Sequence, residues 1–218
     1  MTFKTHRLIK SGRISLARPV ESPFHRPLKR FEQLLARLPP LGVLTPTQRG
    51  TAGEQLFAAC VTLASDGDLE LFKPLTDDDH TDVTAGKRGK VPVLAIQVKT
   101  ALSLTRQGFA VARMIFPDGK LRQHAAFVYS ILFVVDGSVE AAWIVPSRDF
   151  NRLTYRGAGP RGKGIELQFM ASPTRPDHWT AFRCARMDMG PKLIALIDSL
   201  PSGQPPHVEG ARLLLRRR

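Results

Sequence analysis

Cysteine is scarce in this chain: 218 residues include two, Cys60 and Cys184. Two thiols cannot staple a disulfide scaffold or supply a cysteine-rich zinc module. Both are expected to be reduced and packed as small apolar residues. No apolar run approaches the ~18 residues that a membrane-spanning helix requires. The opening stretch, MTFKTHRLIKSGR, lacks the apolar segment of a secretory signal. The six histidines show no H-x-x-x-H or H-E-x-x-H spacing, which removes the usual helical zinc-protease arrangement. No internal repeat is present. An intracellular, cytoplasmic chain without a membrane partner is the simplest expectation.

Acidic residues are also in short supply, with 19 Asp+Glu against 32 Lys+Arg and a net charge of +13. The imbalance is uneven along the chain. Residues 1–50 carry a net +8, residues 51–100 a net −3, residues 101–150 a net +1 and residues 151–218 a net +7. A basic excess of this size points to a polyanionic partner: DNA, RNA or an anionic membrane surface, the last less favoured because no long amphipathic helix accompanies the basic C-terminal end. The acidic island would repel phosphates unless a bound divalent cation neutralised it. Apolar residues at 43% and charged residues at 23% are ordinary for a chain with a real core.

Residues 1–44 read as a basic arm with a short amphipathic helix over 28–38, closed by Pro39 and Pro40. A core follows over 45–155 and a basic extension over 156–218. The core opens with a helix whose start is well marked. Thr45 is the N-cap, Pro46 fits the first helical position and Gln48 completes a capping box. Gly50 and Gly53 lie inside this helix, where each costs about 1 kcal/mol relative to Ala, so a close approach by a backbone or ligand is expected.

Strands are predicted over 69–74, 81–85 and 91–100, with the last two joined as a hairpin by Lys87-Arg88-Gly89-Lys90. Further strands are expected over 109–116, 131–135 and 141–145, the last two forming a hairpin around Asp136-Gly137. Ser147 reads as the N-cap of a short helix, Ile165–Met170 as an edge strand, and 191–200 as a helix. The fold class is α/β, with a mixed central sheet flanked by helices. The segment GAGPRGK (157–163) has the glycine and lysine spacing of a phosphate-binding loop. Gly164 replaces the required Ser or Thr, and no apolar strand precedes it, so nucleotide binding is rejected.

The chemistry centres on Glu54, Asp82, Gln97 and Lys99. Gln97 and Lys99 share one face of a strand that is apolar on both sides until its C-terminal end. A lysine there needs a partner, and Asp82 and Glu54 are the natural ones. Alternatively, Glu54 caps a helix turn, Asp82 is a turn carboxylate and Lys99 an exposed strand end. Asp79 could also stand in for Asp82. Gly53-Glu54 on a helix, Asp82 at a strand start and Ile96-Gln97-Val98-Lys99-Thr100 farther on resemble the PD-(D/E)XK nucleases of restriction-endonuclease-like fold. The QxK motif is similar to the resolvase-like and group I intron-associated branches. The resemblance spans roughly residues 45–150 and includes Trp143-Ile144-Val145-Pro146-Ser147.

That resemblance implies a metal-dependent endodeoxyribonuclease. It makes Glu54, Asp82, Gln97 and the Val98 carbonyl ligands of Mg²⁺ or Mn²⁺, with Lys99 placing the attacking water. It also implies that two copies act as a homodimer to cut both strands. Thr81 replaces the usual proline. Gln97 replaces the usual second acid, which leaves one negative charge fewer and a weaker metal site. Arg49, Lys87, Arg88, Arg156, Arg161 and Lys163 are the candidate phosphate contacts. The alternative is a nuclease fold that grips nucleic acid without cutting it.

Overall fold

The computed structural model describes residues 44–74, 80–89 and 93–201. The expected helix over 28–38, the Asp77–Asp79 run, Lys90 and the basic C-terminal end lie outside these residues.

Helix α1 (Pro46–Ala64) begins where the capping residues place it. Gln48 N–H donates to Thr45 Oγ1 at 3.3 Å, and Thr45 N–H donates to Gln48 Oε1 at 2.9 Å. These reciprocal bonds satisfy two of the amides that a helix start leaves unpaired. Leu56, Phe57, Cys60 and Val61 form the buried stripe of α1. After Ser65, Asp66 and Gly67 the chain enters β1 (Leu69–Phe72), β2 (Val83–Lys87) and β3 (Val93–Ala101). These three strands form the expected antiparallel meander.

Strand β4 (Ala110–Phe116) leaves the sheet, and β5 (Phe127–Val135) returns to lie parallel to β3. A tight turn at Asp136-Gly137, both with positive φ, links β5 to β6 (Ser138–Pro146). Eight of the nine β5 residues are buried, as a central strand covered on both faces requires. Helix α2 (Ser147–Leu153), β7 (Tyr155–Ala158), β8 (Ile165–Ala171), β9 (Arg183–Cys184) and α3 (Met189–Asp198) complete the order. The main sheet runs β1-β2-β3-β5-β6-β9, and a second sheet runs β4-β8-β7.

The fold is therefore mixed α/β, as expected. Helices α1 and α3 cover one face of the main sheet through Phe57, Val61, Ile96, Val98, Leu193 and Ile197. The second sheet and α2 cover the other face through Met114, Tyr129, Trp143, Phe150 and Phe169. Gly190 lets α3 cross α1, because a Cβ there would collide with the Ala64–Ser65 backbone. Residues 165–201 thus pack into the same layers as the segment that precedes them.

Three expectations are corrected. Ile165–Ala171 is the middle strand of the second sheet, not an edge, because Tyr155–Ala158 forms an additional strand on its far side. The exposed YRGA tetrapeptide carries no apolar alternation that would mark it as a strand. Ser147 is the first helical residue and Pro146 the cap. The Ser147 hydroxyl is buried and instead accepts from His124 N–H at 3.0 Å and donates to His124 O at 2.9 Å, clamping the chain ahead of β5. Gly50 has open space where a Cβ would stand, so no close approach explains it.

Gly53 is different. A Cβ there would overlap Thr100 Oγ1 at the end of β3. Its absence lets α1 settle against that strand end. Gly53→Ala is expected to destabilise the protein by about 1–3 kcal/mol through overpacking, despite the better helix propensity. Adding Thr100→Ala should recover part of this loss, and chemical denaturation of the two single variants and the double variant measures the coupling.

Candidate active site

Residues Glu54, Asp82, Gln97 and Lys99 are brought to one end of the main sheet by three elements. Strand register places Asp82 first. Asp82 N–H donates to Ile96 O at 3.0 Å, the same residue that Val83 faces in the β2–β3 register. Its carboxylate Oδ2 then accepts from Val98 N–H at 2.6 Å. The Asp82 side chain thus continues the pairing of β3 where β2 has ended. Ala95 N–H points the other way, to Ala126 O at 2.8 Å. Backbone groups of Ile96 and Val98 therefore face β2, and those of Ala95, Gln97 and Lys99 face β5. The Val98 carbonyl lies on the β2 side, beyond the first residue of that strand.

Side-chain alternation sets the faces. Ile96 and Val98 belong to the core under α1, whereas Ala95 and Ala101 belong to the core under the second sheet. Gln97 and Lys99 share the face of Ala95. On β2, Val83 and Ala85 point toward α1, and Asp82, just ahead of that strand, reaches the sheet end through its bond to the Val98 amide. Gln97 is 6% exposed, and its Oε1 meets no hydrogen-bond donor among the described residues. The Tyr129 hydroxyl on the neighbouring strand and four other buried side-chain atoms among the described residues share this lack of a partner. Lys99 is half-buried at the mouth of the same face.

Glu54 comes from α1, on the other side of the sheet plane, at its end. Its Oε2 accepts from Lys73 Nζ at 2.7 Å. The sequence reading paired Lys99 with Asp82 and Glu54. The structure instead gives Glu54 to Lys73 and ties Asp82 to a backbone amide. Lys73 was missed, although the register signals it. Phe72 pairs with Thr84, so Lys73 lies level with Val83 and next to Asp82. The Lys73 side chain is 59% exposed, so this ion pair is worth no more than about 1 kcal/mol and is readily exchanged.

Two neighbours define the surroundings. Tyr129 pairs with Gln97 in the β3–β5 register and is buried between Phe127 and Phe150. Burial pushes its phenol above its ordinary range, with Arg122 acting weakly against it, so it stays protonated at neutral pH. His80 has positive φ, and its ring lies 6.3 Å from that of Phe116, which connects the Asp82 end of the main sheet to the end of β4.

The phosphate-contact candidates divide into groups. Arg49 is on the first turn of α1, at the same end of the sheet as Glu54. Lys87 and Arg88 sit at the opposite end of β2, about 17 Å along the strand from Asp82. Lys87 pairs with Asp198 of α3 at 2.9 Å, and Arg88 lies 3.7 Å from Glu70. Those two brace the far edge and are not part of the Asp82 cluster. Arg156, Arg161 and Lys163 are exposed on β7 and the loop to β8. That loop contains a single 3-10 turn and leads into a strand, so it lacks the helix N-terminus of a nucleotide-binding loop.

Among the described residues, no set of three or more His, Cys, Asp or Glu side chains is arranged to hold a metal. The donors at this sheet end are two carboxylates, one amide oxygen and one backbone carbonyl. All are hard oxygen ligands of the kind that suits Mg²⁺ or Mn²⁺. No described helix is long and apolar enough to cross a membrane.

No family model and no curated protein matches this chain. Among solved structures, a bacterial homing endonuclease, I-Ssp6803I, is similar at TM-score 0.46 and 18% identity, over 72% of this chain and 100% of that one.

Proposed function

We propose that this protein is a metal-dependent endonuclease that hydrolyses phosphodiester bonds in DNA. The observation that carries the proposal is the buried, donorless Gln97 Oε1, on the strand face of Lys99 and beside the Val98 amide that Asp82 holds. A hard cation would supply the missing partner. Glu54, Asp82, Gln97 and the Val98 carbonyl would hold it. A cation held there would supply charge stabilisation at the scissile phosphate and activation of the attacking water. Lys99 holds and orients the attacking water or the phosphate oxygen beside it, as a mobile point-charge donor can. The water oxygen bonds to phosphorus and gives up a proton to solvent as the P–O ester bond breaks, and the departing ester oxygen takes up a proton to leave as a hydroxyl. On this reading the chain joins the PD-(D/E)XK nucleases that its motifs resemble, and a pair of copies cuts the two strands.

Arg49, Arg156, Arg161 and Lys163 supply phosphate grip, so binding weakens steeply as salt rises. The direct test incubates supercoiled plasmid with purified protein and Mg²⁺ or Mn²⁺. Nicking or linearisation that EDTA abolishes supports the reading; the same incubation with RNA tests the competing substrate.

A second reading, a nuclease fold that binds without cutting, is favoured by two observations. Gln97 brings no charge, and Lys73 already neutralises Glu54. Gln97→Glu separates the two. A larger cleavage rate, most evident at low metal concentration, is the outcome expected if metal affinity limits turnover. Salt-dependent binding with no cleavage in either form would select the binding module.

A further inference from the structure

We infer that the outer face of the second sheet reads base edges in the major groove of duplex DNA. This inference rests on the DNA reading above and adds the surface that selects the target. The inner face of this sheet is buried through Ala112, Met114, Phe116, Leu167 and Phe169. Alternation turns the intervening residues outward. Strand register lines up Arg113, Gln168 and Tyr155 as one row across the three strands. Tyr155 is 59% exposed, the Arg113 side chain 64% exposed, and Gln168 half-buried. Ile115, at 44% exposure, stands in the next row.

The chemistry of this row is that of base recognition. Arg pairs with guanine edges, Gln with adenine edges, and an apolar side chain such as Ile115 can meet a thymine methyl. Three strands spaced by ~4.8 Å make the row about 10 Å wide, close to the ~12 Å major groove of B-DNA. The groove of A-form RNA is too deep and narrow for it. Glu166, on the same outer face, lies 3.5 Å from Arg113 Nε in a pair, largely exposed on the arginine side, that a base edge can displace.

The rim is basic and leads to the candidate site. Arg161 and Lys163 stand on the β7–β8 loop and Lys120 on the turn after β4, all exposed. Gly164 brings the two segments together, since a Cβ there would collide with Phe116 O and Pro117. Phe116 in turn meets His80, two residues before Asp82. Phosphates held by this rim would lie beside the cleavage end of the main sheet. The two long stretches at the ends of the chain are themselves basic. Residues 1–43 carry 9 Lys+Arg against 2 Asp+Glu, and residues 202–218 carry 4 against 1, so both would be repelled.

The test is selection of bound duplexes from a random library by the full chain in EDTA, where cleavage does not intervene. The wild type is expected to enrich a short motif. Arg113→Ala and Gln168→Ala should each flatten the preference at one or two adjacent positions by about tenfold. Both should leave the salt dependence of binding unchanged. Arg161→Ala should keep the motif and reduce the salt slope by about one. Gln168→Glu, which preserves side-chain size, repeats the test if a truncation does not fold. Identical motifs in all variants would overturn the inference, as would no enrichment or equal enrichment of duplex RNA. A dimer dissociated by Tyr155→Glu with the motif intact would also overturn it, assigning the face to a second copy. Plasmid cleavage measured in parallel reads only the Asp82 site. A sheet-dependent motif without cleavage would reject the nuclease reading and leave this inference standing.

Discussion

Replacing Asp82 with alanine is expected to lower DNA cleavage by at least about 100-fold, since even residues that only orient metal ligands cost 10–100-fold. The same change should cost about 1–3 kcal/mol of folding stability, because Val98 N–H loses the carboxylate that closes the ladder past Val83. These two effects can be separated. Asp82→Asn keeps an oxygen that can accept from Val98 N–H, so its unfolding curve should return most of the way to wild type. Its activity should not return, because a charged ligand has gone. Cleavage rates and urea unfolding on both variants provide the comparison. Recovery of activity together with stability in the Asn variant would mean that Asp82 acts only as a strand clamp.

Lys99→Met is expected to lower single-turnover cleavage by about 10²–10⁴-fold, the range for a positioned proton-transfer or water-holding group. Stability should change by no more than about 0.5 kcal/mol, because the side chain is half-buried and the β3 ladder does not depend on it. Lys99→Arg should not restore the rate, since the planar guanidinium cannot place a single donor as the ammonium does. Duplex binding at fixed salt should stay close to wild type, which separates loss of chemistry from loss of grip. A large fall in binding with an unchanged bound-state rate would recast Lys99 as a phosphate contact.

Much of this site was legible in the sequence because strand physics is local. The QVK segment ends an apolar run, and a period of two puts Gln97 and Lys99 on one face whatever the tertiary context. Thr45, Pro46 and Gln48 fix the start of α1 through bonds that span three residues, and Glu54 follows two turns later. The partners were less legible. Lys73 reaches Glu54 only through the β1–β2 register, which the sequence does not state. Lys87 and Arg88, candidate phosphate contacts in the sequence, stand at the other end of β2 from Asp82, a placement that needs the direction of the strand.

The second sheet was the least legible part. Its strand β7 is four exposed residues, YRGA, that gain their conformation from β8 and not from their own pattern. β8 consequently looked like an edge. The Ser147 hydroxyl also followed tertiary context. A buried loop amide and carbonyl at His124 claimed it in preference to the helix terminus.

Calorimetric titration of the metal-free protein with Mn²⁺ tests the central claim most directly, because it reads the site without requiring a known DNA target. The expected result is one ion per chain, with affinity lowered by Asp82→Asn and by Glu54→Gln and raised by Gln97→Glu. Absence of binding, or binding that none of these three substitutions alters, would contradict it.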